Sequence, residues 1–258
     1  MQTKLHNIEK TLKYYELLMV RDLKNIEKYE LPEGFSYKFW DGDNCIQDWI
    51  NIHLETGEFN SKKEAITIFH DYYDNFYDEI SSRCVFIENI QGEKVATATI
   101  SPANEFGYKC VIDWFAISPK EQGKHLSKPL LSQVLLTAKR LGYKKILLHT
   151  QTHTRLAVKV YLDCGFKPYK TKGNNGWNII KTITNHPKLK RFKTVEETEI
   201  YDDLIVKIKK ELDKLHKNYT YSVWYINNRN DVYVREENSY FEYKYQIKNG
   251  KILLLKQK

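Results

Sequence analysis

Cys110-Val-Ile-Asp-Trp-Phe-Ala-Ile-Ser-Pro-Lys-Glu-Gln-Gly-Lys-His-Leu-Ser-Lys-Pro-Leu-Leu131 is the stretch on which the rest of the chain is organised. Val111 to Ile117 is rich in β-branched and aromatic residues and is cut by Ser118-Pro119. A polar turn then opens into an apolar-periodic segment, which predicts strand, loop and helix in succession. The first amides of such a helix lack intrahelical partners and sit at the positive end of its dipole, so the turn can cradle a phosphate or pyrophosphate. Gly123 lets backbone approach such a ligand and Lys124 adds a cation. An ordinary polar turn could carry the same residues.

The downstream sequence extends the pattern. Leu126, Leu130, Leu131, Val134, Leu135, Ala138 and Leu141 recur at helical spacing, Gly142 supplies a stop, and Lys144 to Thr150 reads as a buried strand. Strand, crossover helix and strand imply a parallel pair. A second helix, Arg155 to Asp163, ends in Cys164-Gly165-Phe166, with Gly165 placed for a left-handed cap.

Ala116-Ile-Ser-Pro-Lys-Glu-Gln-Gly-Lys-His-Leu-Ser resembles the acetyl-CoA signature of the GCN5-related N-acetyltransferase (GNAT) family, Gln/Arg-x-x-Gly-x-Gly/Ala. Ala157-Val-Lys-Val-Tyr-Leu-Asp-Cys-Gly-Phe is similar to that family's second landmark, Ala-x-x-Leu-Tyr-x-x-x-Gly-Phe, and follows in order about 35 residues later. The match departs in three places. His125 stands where the family has its central Gly, Ser127 where it has Gly or Ala, and Thr154 where it has Asn.

The resemblance implies acetyl-CoA (coenzyme A) as cofactor. The pantetheine arm would lie along Phe115, Ala116 and Ile117, and the pyrophosphate on the amides of Gln122, Gly123, Lys124, His125, Leu126, Ser127 and Lys128, with Thr154 completing the set. It also implies a tyrosine acid at Tyr161, a small-molecule or peptide amine as acceptor, and an oxyanion met by backbone amide near Phe115 to Ile117.

An apolar fraction of 41% over 258 residues is enough to bury a globular core. Lys and Arg exceed Asp and Glu by 41 − 33 = 8, which favours polyanionic ligands, coenzyme A and nucleic acid among them, without choosing between them. Cys45, Cys84, Cys110 and Cys164 are scattered without paired spacing, so the sequence suggests neither a disulfide framework nor a thiolate metal site, and no metal is expected. Charges near the N-terminus and the lack of a long apolar run point away from a leader or membrane span, so a cytoplasmic protein with no membrane partner is expected. Nucleic acid is not the expected partner, and a homodimer is compatible with the reading.

Taken in order, Tyr14 to Val20 leans towards strand and Phe35 to Trp40 alternates as the first strand of the main domain. Asp41 or Asp43 can cap a helix through Ile46, Trp49, Ile50 and His53, and Ser61 to Glu64 is a capping box opening a ring-rich second helix. Cys84 to Ile90 and Val95 to Ile100 form a hairpin, and a turn at Asn104 to Gly107 precedes the strand to Ile117. Gly176 to Thr184 would be the closing strand. Thr194 to Glu197 is a further capping box before an amphipathic helix ending near Leu212, followed by strands at 219–226, 232–235, 240–247 and 252–255, with Asn249-Gly250 a hairpin turn. The expected organisation is an N-terminal extension, 1–33, a GNAT domain, 34–187, and a small α+β appendage, 188–258. The expected class is α/β (α+β): a mixed, mostly antiparallel sheet with a central parallel strand pair and flanking helices.

Transfer to an amine needs a neutral nucleophile and a proton for the departing thiolate. Asp113 stands two positions before Phe115 on the same strand, so the two project from one face, where the carboxylate could take a proton directly or through water. His149 and His153 are rivals, with imidazole pKa values better matched to the task. Cys110 and Cys164 read as buried inert thiols, since direct transfer needs neither. A second reading is a non-catalytic CoA-fold binding module whose basic C-terminal region, with Tyr221, Tyr225 and Tyr233, contacts nucleic acid or a protein partner.

Overall fold

The computed structural model describes residues 11–169, 175–215, 221–226, 231–236, 242–248 and 251–257. It divides into two compact units. One comprises residues 18–149 and 160–169; the other holds 11–17, 150–159 and the described residues from 175 onward.

The first unit is built on a seven-stranded sheet. Its strands are β1 (Glu16–Asp22), β2 (Phe35–Phe39), β3 (Cys84–Asn89), β4 (Lys94–Glu105), β5 (Tyr108–Ile117), β6 (Lys145–Gln151) and the short β7 (Lys167–Pro168). They lie in the order β2-β3-β4-β5-β6-β1-β7. The pairs β2–β3, β3–β4, β4–β5 and β1–β7 are antiparallel, and β5–β6 is parallel. The expected mixed sheet with one parallel pair is therefore present.

Helices α1 (Asn44–Thr56) and α2 (Lys62–Tyr73) cover one face, burying Trp49, Ile50, Phe69 and Tyr73 with Cys84, Phe86 and Ala116 of the sheet. The short α3 (Ile80–Arg83) leads into β3. On the other face lies α4 (Ser127–Arg140): Phe39, paired with Val85, sits 5.3 Å under the Arg140 guanidinium, and Leu130, Leu131, Val134, Leu135 and Ala138 are buried. The capping box at α2 forms as read, the Ser61 hydroxyl accepting from the Glu64 amide at 3.2 Å. Helix α5 (Arg155–Asp163) ends as expected, with Gly165 at φ 94° and the Phe166 amide bonded back to the Tyr161 carbonyl at 3.0 Å.

Two sequence expectations are corrected. Gly176–Thr184 is a helix, α6, not a closing strand. Its β-branched residues are accommodated because Trp177, Ile179 and Ile180 share a buried stripe. The Thr182 and Thr184 hydroxyls donate to the carbonyls of Asn178 and Ile180 at 2.8 and 2.7 Å, and Asn185 ends the helix at φ 45°. The place in the sheet between β6 and β7 belongs instead to β1, whose Leu17, Leu18 and Met19 are buried. Truncating the fully buried Met19 to Ala is therefore expected to cost at least about 2 kcal/mol, measured by urea unfolding.

The second correction concerns the same unit that holds α6. The single helix expected from Thr194 onward is broken into α7 (Glu197–Ile200) and α8 (Asp203–Leu215). Residues 200–202 are drawn into extended pairing with residues 11–13: the Lys13 amide donates to the Ile200 carbonyl and the Asp202 amide to the Thr11 carbonyl, at 2.8 and 2.9 Å. Leu12, Ile179 and Ile200 form the small core there. The C-terminal strands appear as β8 (Tyr221–Ile226), β9 (Asp231–Glu236), β10 (Glu242–Lys248) and β11 (Lys251–Gln257), in a four-stranded antiparallel sheet. Asn249-Gly250 lies outside the described residues, as do the side chains of Tyr221, Tyr225 and Tyr233. Among the described residues no helix is long and apolar enough to cross a membrane, and no cluster of three or more His, Cys, Asp or Glu could hold a metal.

Candidate active site

The parallel ladder between β5 and β6 pairs Val111 with Leu147 and Ile112 with Leu148, and ends there. Both strands continue, β5 to Ile117 and β6 to Gln151. From Asp113 onward the edge of β5 that faced β6 is thus released from the ladder. Open α/β sheets bind ligands beyond the carboxyl ends of such strands.

A bulge fixes what points where. Between the pairs Thr97–Ala116 and Thr99–Asp113, β4 advances two residues and β5 three. The extra residue distorts the strand at Trp114, which has φ 54°. Asp113 lies opposite Thr99, whose Oγ1 accepts from the Tyr73 hydroxyl at 3.1 Å, so the carboxylate is on the α2 side. Trp114 turns to the same helices, with its ring 5.4 Å from Trp49 and 5.1 Å from Tyr72. Phe115 points the other way, its ring 5.8 Å from Tyr161. The expectation that Asp113 and Phe115 share a face is corrected: the bulge breaks the alternation on which it rested.

Asp113 is half-buried, and loss of hydration pushes its carboxyl above the usual range. The nearby Ser101 and His149 pull it back, while Glu105 adds to the rise. His149 faces Glu105, with Nε2 3.1 Å from its carboxylate, and His153 Nε2 is 2.8 Å from the Leu12 carbonyl within the other unit. Thr154 also belongs to that unit, where its hydroxyl meets Thr150 Oγ1 at 2.9 Å and the Gln151 carbonyl at 3.0 Å. Cys110 and Cys164 are buried and their thiols are pushed up, to about 12 and about 11, mainly by desolvation, which makes them poor nucleophiles.

Tyr161 is 6% exposed, its ring packed between Phe115 and Phe166, and among the described residues its hydroxyl has no hydrogen-bond partner. Burial first, and the negative charge of Glu58 second, raise its pKa well above 10, so the phenol holds its proton.

The turn after β5 is held from several sides. Gln122 Nε2 donates to the Ile117 carbonyl at 3.1 Å, and the Ser118 hydroxyl donates to Glu55. Lys120 pairs with the same carboxylate at 3.0 Å. Burial would raise the Glu55 carboxyl, but the hydrogen bonds from Ser118 and Lys120 outweigh it and leave it below its ordinary value. The last turn of α1 is thereby tied to the turn after β5. Gly123 stands at φ 84°, a conformation that explains glycine without any appeal to crowding, because an added Cβ would meet nothing within 4 Å. Helix α4 begins beyond Leu126 with no side-chain cap and no acidic residue in its first turn. Its first amides, the open space at Gly123 and the released edge of β5 fit an extended ligand ending in a diphosphate. Lys124 and Lys128 contribute less charge than the sequence suggests, being paired with Glu121 at 2.7 Å and Asp163 at 3.5 Å.

His125 is exposed at φ 60°, so a left-handed residue is required where the signature carries Gly. His125→Gly is expected to raise stability by up to about 1 kcal/mol and His125→Val to lower it by at least as much, read as opposite shifts in thermal midpoint.

Residues 46–166 match the family model "Acetyltransferase (GNAT) family". This segment is a GNAT domain. Among solved structures, the chain is similar to a GCN5-related N-acetyltransferase from Sphaerobacter thermophilus, with TM-score 0.51 and 14% identity over 62% of this chain and 50% of that one. It is also similar to a GCN5-related N-acetyltransferase from Kribbella flavida, with TM-score 0.43 and 14% identity over 61% and 56% of the two chains. A GNAT-family acetyltransferase from Colwellia psychrerythraea gives TM-score 0.47 and 13% identity over 63% and 55%. The chain spans about half the length of these structures, and at such identities the likeness is one of fold. No curated protein matches it in sequence.

Two residues of this region carry no distinguishing signal in the sequence, because His53 falls in an apolar helix stripe and Trp114 in an apolar strand run. In the GNAT domain they meet at 5.3 Å between ring centroids, brought together by the bulge.

Proposed function

We propose that the protein is an acetyl-CoA-dependent N-acetyltransferase that moves an acetyl group directly to a primary amine of a small molecule or peptide. The observation carrying this reading is the release of β5 from β6 after Ile112, with an uncapped helix N-terminus following the turn at the end of β5. Acetyl-CoA supplies the acyl group as an activated thioester. Backbone of Phe115, Ala116 and Ile117 would hold the pantetheine arm and present an amide to the developing oxyanion. The amides from Gln122 to Lys128 would hold the pyrophosphate, apart from that of Lys124, which donates to the Glu121 carbonyl at 3.3 Å. Asp113 takes the proton of the attacking ammonium, directly or through water, its raised pKa bringing it nearer to neutrality. Tyr161, on the opposite face, gives its proton to the departing sulfur.

The test is free-thiol release from acetyl-CoA by the full chain across a panel of primary amines. Release that depends on at least one amine is expected. Silence across the panel, with the protein folded by circular dichroism, would overturn the reading.

A further inference from the structure

We infer that the ring box around His53 receives the body of the acceptor, and that the acceptor class is therefore a primary amine carried on a short alkyl chain from an aromatic ring bearing a hydrogen-bonding substituent. This rests on the acyl-transfer reading above. His53 is 1% exposed, and neither ring nitrogen has a hydrogen-bond partner. It is enclosed by the rings of Trp49 at 4.3 Å, Trp114 at 5.3 Å and Phe59 at 6.0 Å. The Trp114 Nε1 is likewise buried without a partner. Buried polar atoms are nearly always paired, and four unpaired ones in a single contact cluster, Trp49 Nε1 among them, require a reason. Packing does not supply it, since leucine and phenylalanine would fill the same volume with no orphaned groups.

What the box lacks defines what it accepts. A neutral imidazole offers one donor and one acceptor, and the Trp114 indole one donor. A phenolic hydroxyl complements them, donating to one imidazole nitrogen while accepting from the indole. The aromatic walls complement a flat ring in offset or edge-on contact. The outer wall is the part built to yield. Trp114 is half-exposed, holds a left-handed backbone, and touches Tyr72, which is 45% exposed. A ring seated against Trp114 carries its amine beside the Asp113 carboxylate, whose charge already bears on Tyr72. The neighbouring Phe115 stands at the proposed thioester position.

The experiment is calorimetric titration of the full chain, with and without coenzyme A, using 4-(2-aminoethyl)phenol, 2-phenylethylamine and hexylamine. The phenol is expected to bind about tenfold or more tightly than 2-phenylethylamine, because a site built to hydrogen-bond a hydroxyl rejects the analogue lacking it, and hexylamine should bind weakest. His53→Leu should bring the phenol down to the level of 2-phenylethylamine while leaving the latter bound. Trp114→Phe, which keeps the ring and deletes the donor, should narrow the same ratio and carries the test if the leucine variant does not fold. Absence of saturable binding by both aromatic amines, hexylamine bound as tightly as they are, or an unchanged ratio in the variants would overturn the inference. Thiol release with alkyl amines alone would sink the aromatic acceptor and leave acyl transfer standing. Aromatic binding with no thiol release from any amine would leave the box standing and sink acyl transfer.

Discussion

Tyr161→Phe is expected to lower kcat for acetyl transfer by about 10²- to 10⁴-fold, with little change in KM for acetyl-CoA. A thiolate leaving an acyl carbon is a far better leaving group when a proton arrives with it. The phenol of Tyr161 is kept protonated by burial and by the charge of Glu58. Phenylalanine preserves the ring contacts with Phe115 and Phe166 and orphans nothing, because the lost hydroxyl has no partner among the described residues. The variant should therefore melt within a few degrees of the wild type, by a stability change under about 1 kcal/mol. Steady-state thiol release and a thermal melt on the same preparation separate the two effects. A variant as fast as the wild type would remove Tyr161 from the chemistry; a slow variant with a collapsed melting point would assign it to packing.

Most of this domain can be read from local pattern. The turn at Gly123, the crossover helix, the capping box at Ser61 and the left-handed stop at Gly165 are decided by neighbours three to four residues apart, so periodicity and capping chemistry suffice. What escaped is non-local. Gly176–Thr184 has the β-branched content of a strand, yet the sheet position it was expected to fill goes to Glu16–Asp22, far away in sequence. No property of either segment alone announces that exchange. The bulge at Trp114 is invisible for a related reason: a run of alternating residues carries no mark where one of them is skipped, and only the partner strand counts the extra residue. That one skip moves Asp113 away from Phe115 and brings Trp114 onto His53. The places of Tyr161 and of the turn at Gly123 were therefore legible from single residues, whereas the face of Asp113 and the contact of Trp114 with His53 were not.

Acidification between pH 6.5 and 3 is expected to destabilise the protein through His53 by about 1.4 kcal/mol per pH unit, beyond whatever the carboxylates contribute. The imidazole is shut away from water by Trp49, Phe59 and Trp114, and desolvation pushes its pKa down to about 3. Once the chain unfolds it titrates near the ordinary value of about 6.5. Between those values the unfolded state holds a proton that the folded state does not. The contribution is fully present above the unfolded pKa and is lost as pH falls towards the folded one. Urea denaturation of wild type and His53→Leu at half-unit steps from pH 7.5 to 4.5 isolates it, because the carboxylates are common to both. The wild-type advantage, whatever its value at pH 7.5, should shrink by about 2 to 3 kcal/mol by pH 4.5, and the variant should overtake wherever that advantage was smaller. Parallel curves would mean that water or a hidden partner reaches the imidazole in the folded state. The box would then be neither dry nor unsatisfied, and the physical ground for an aromatic acceptor there would go with it.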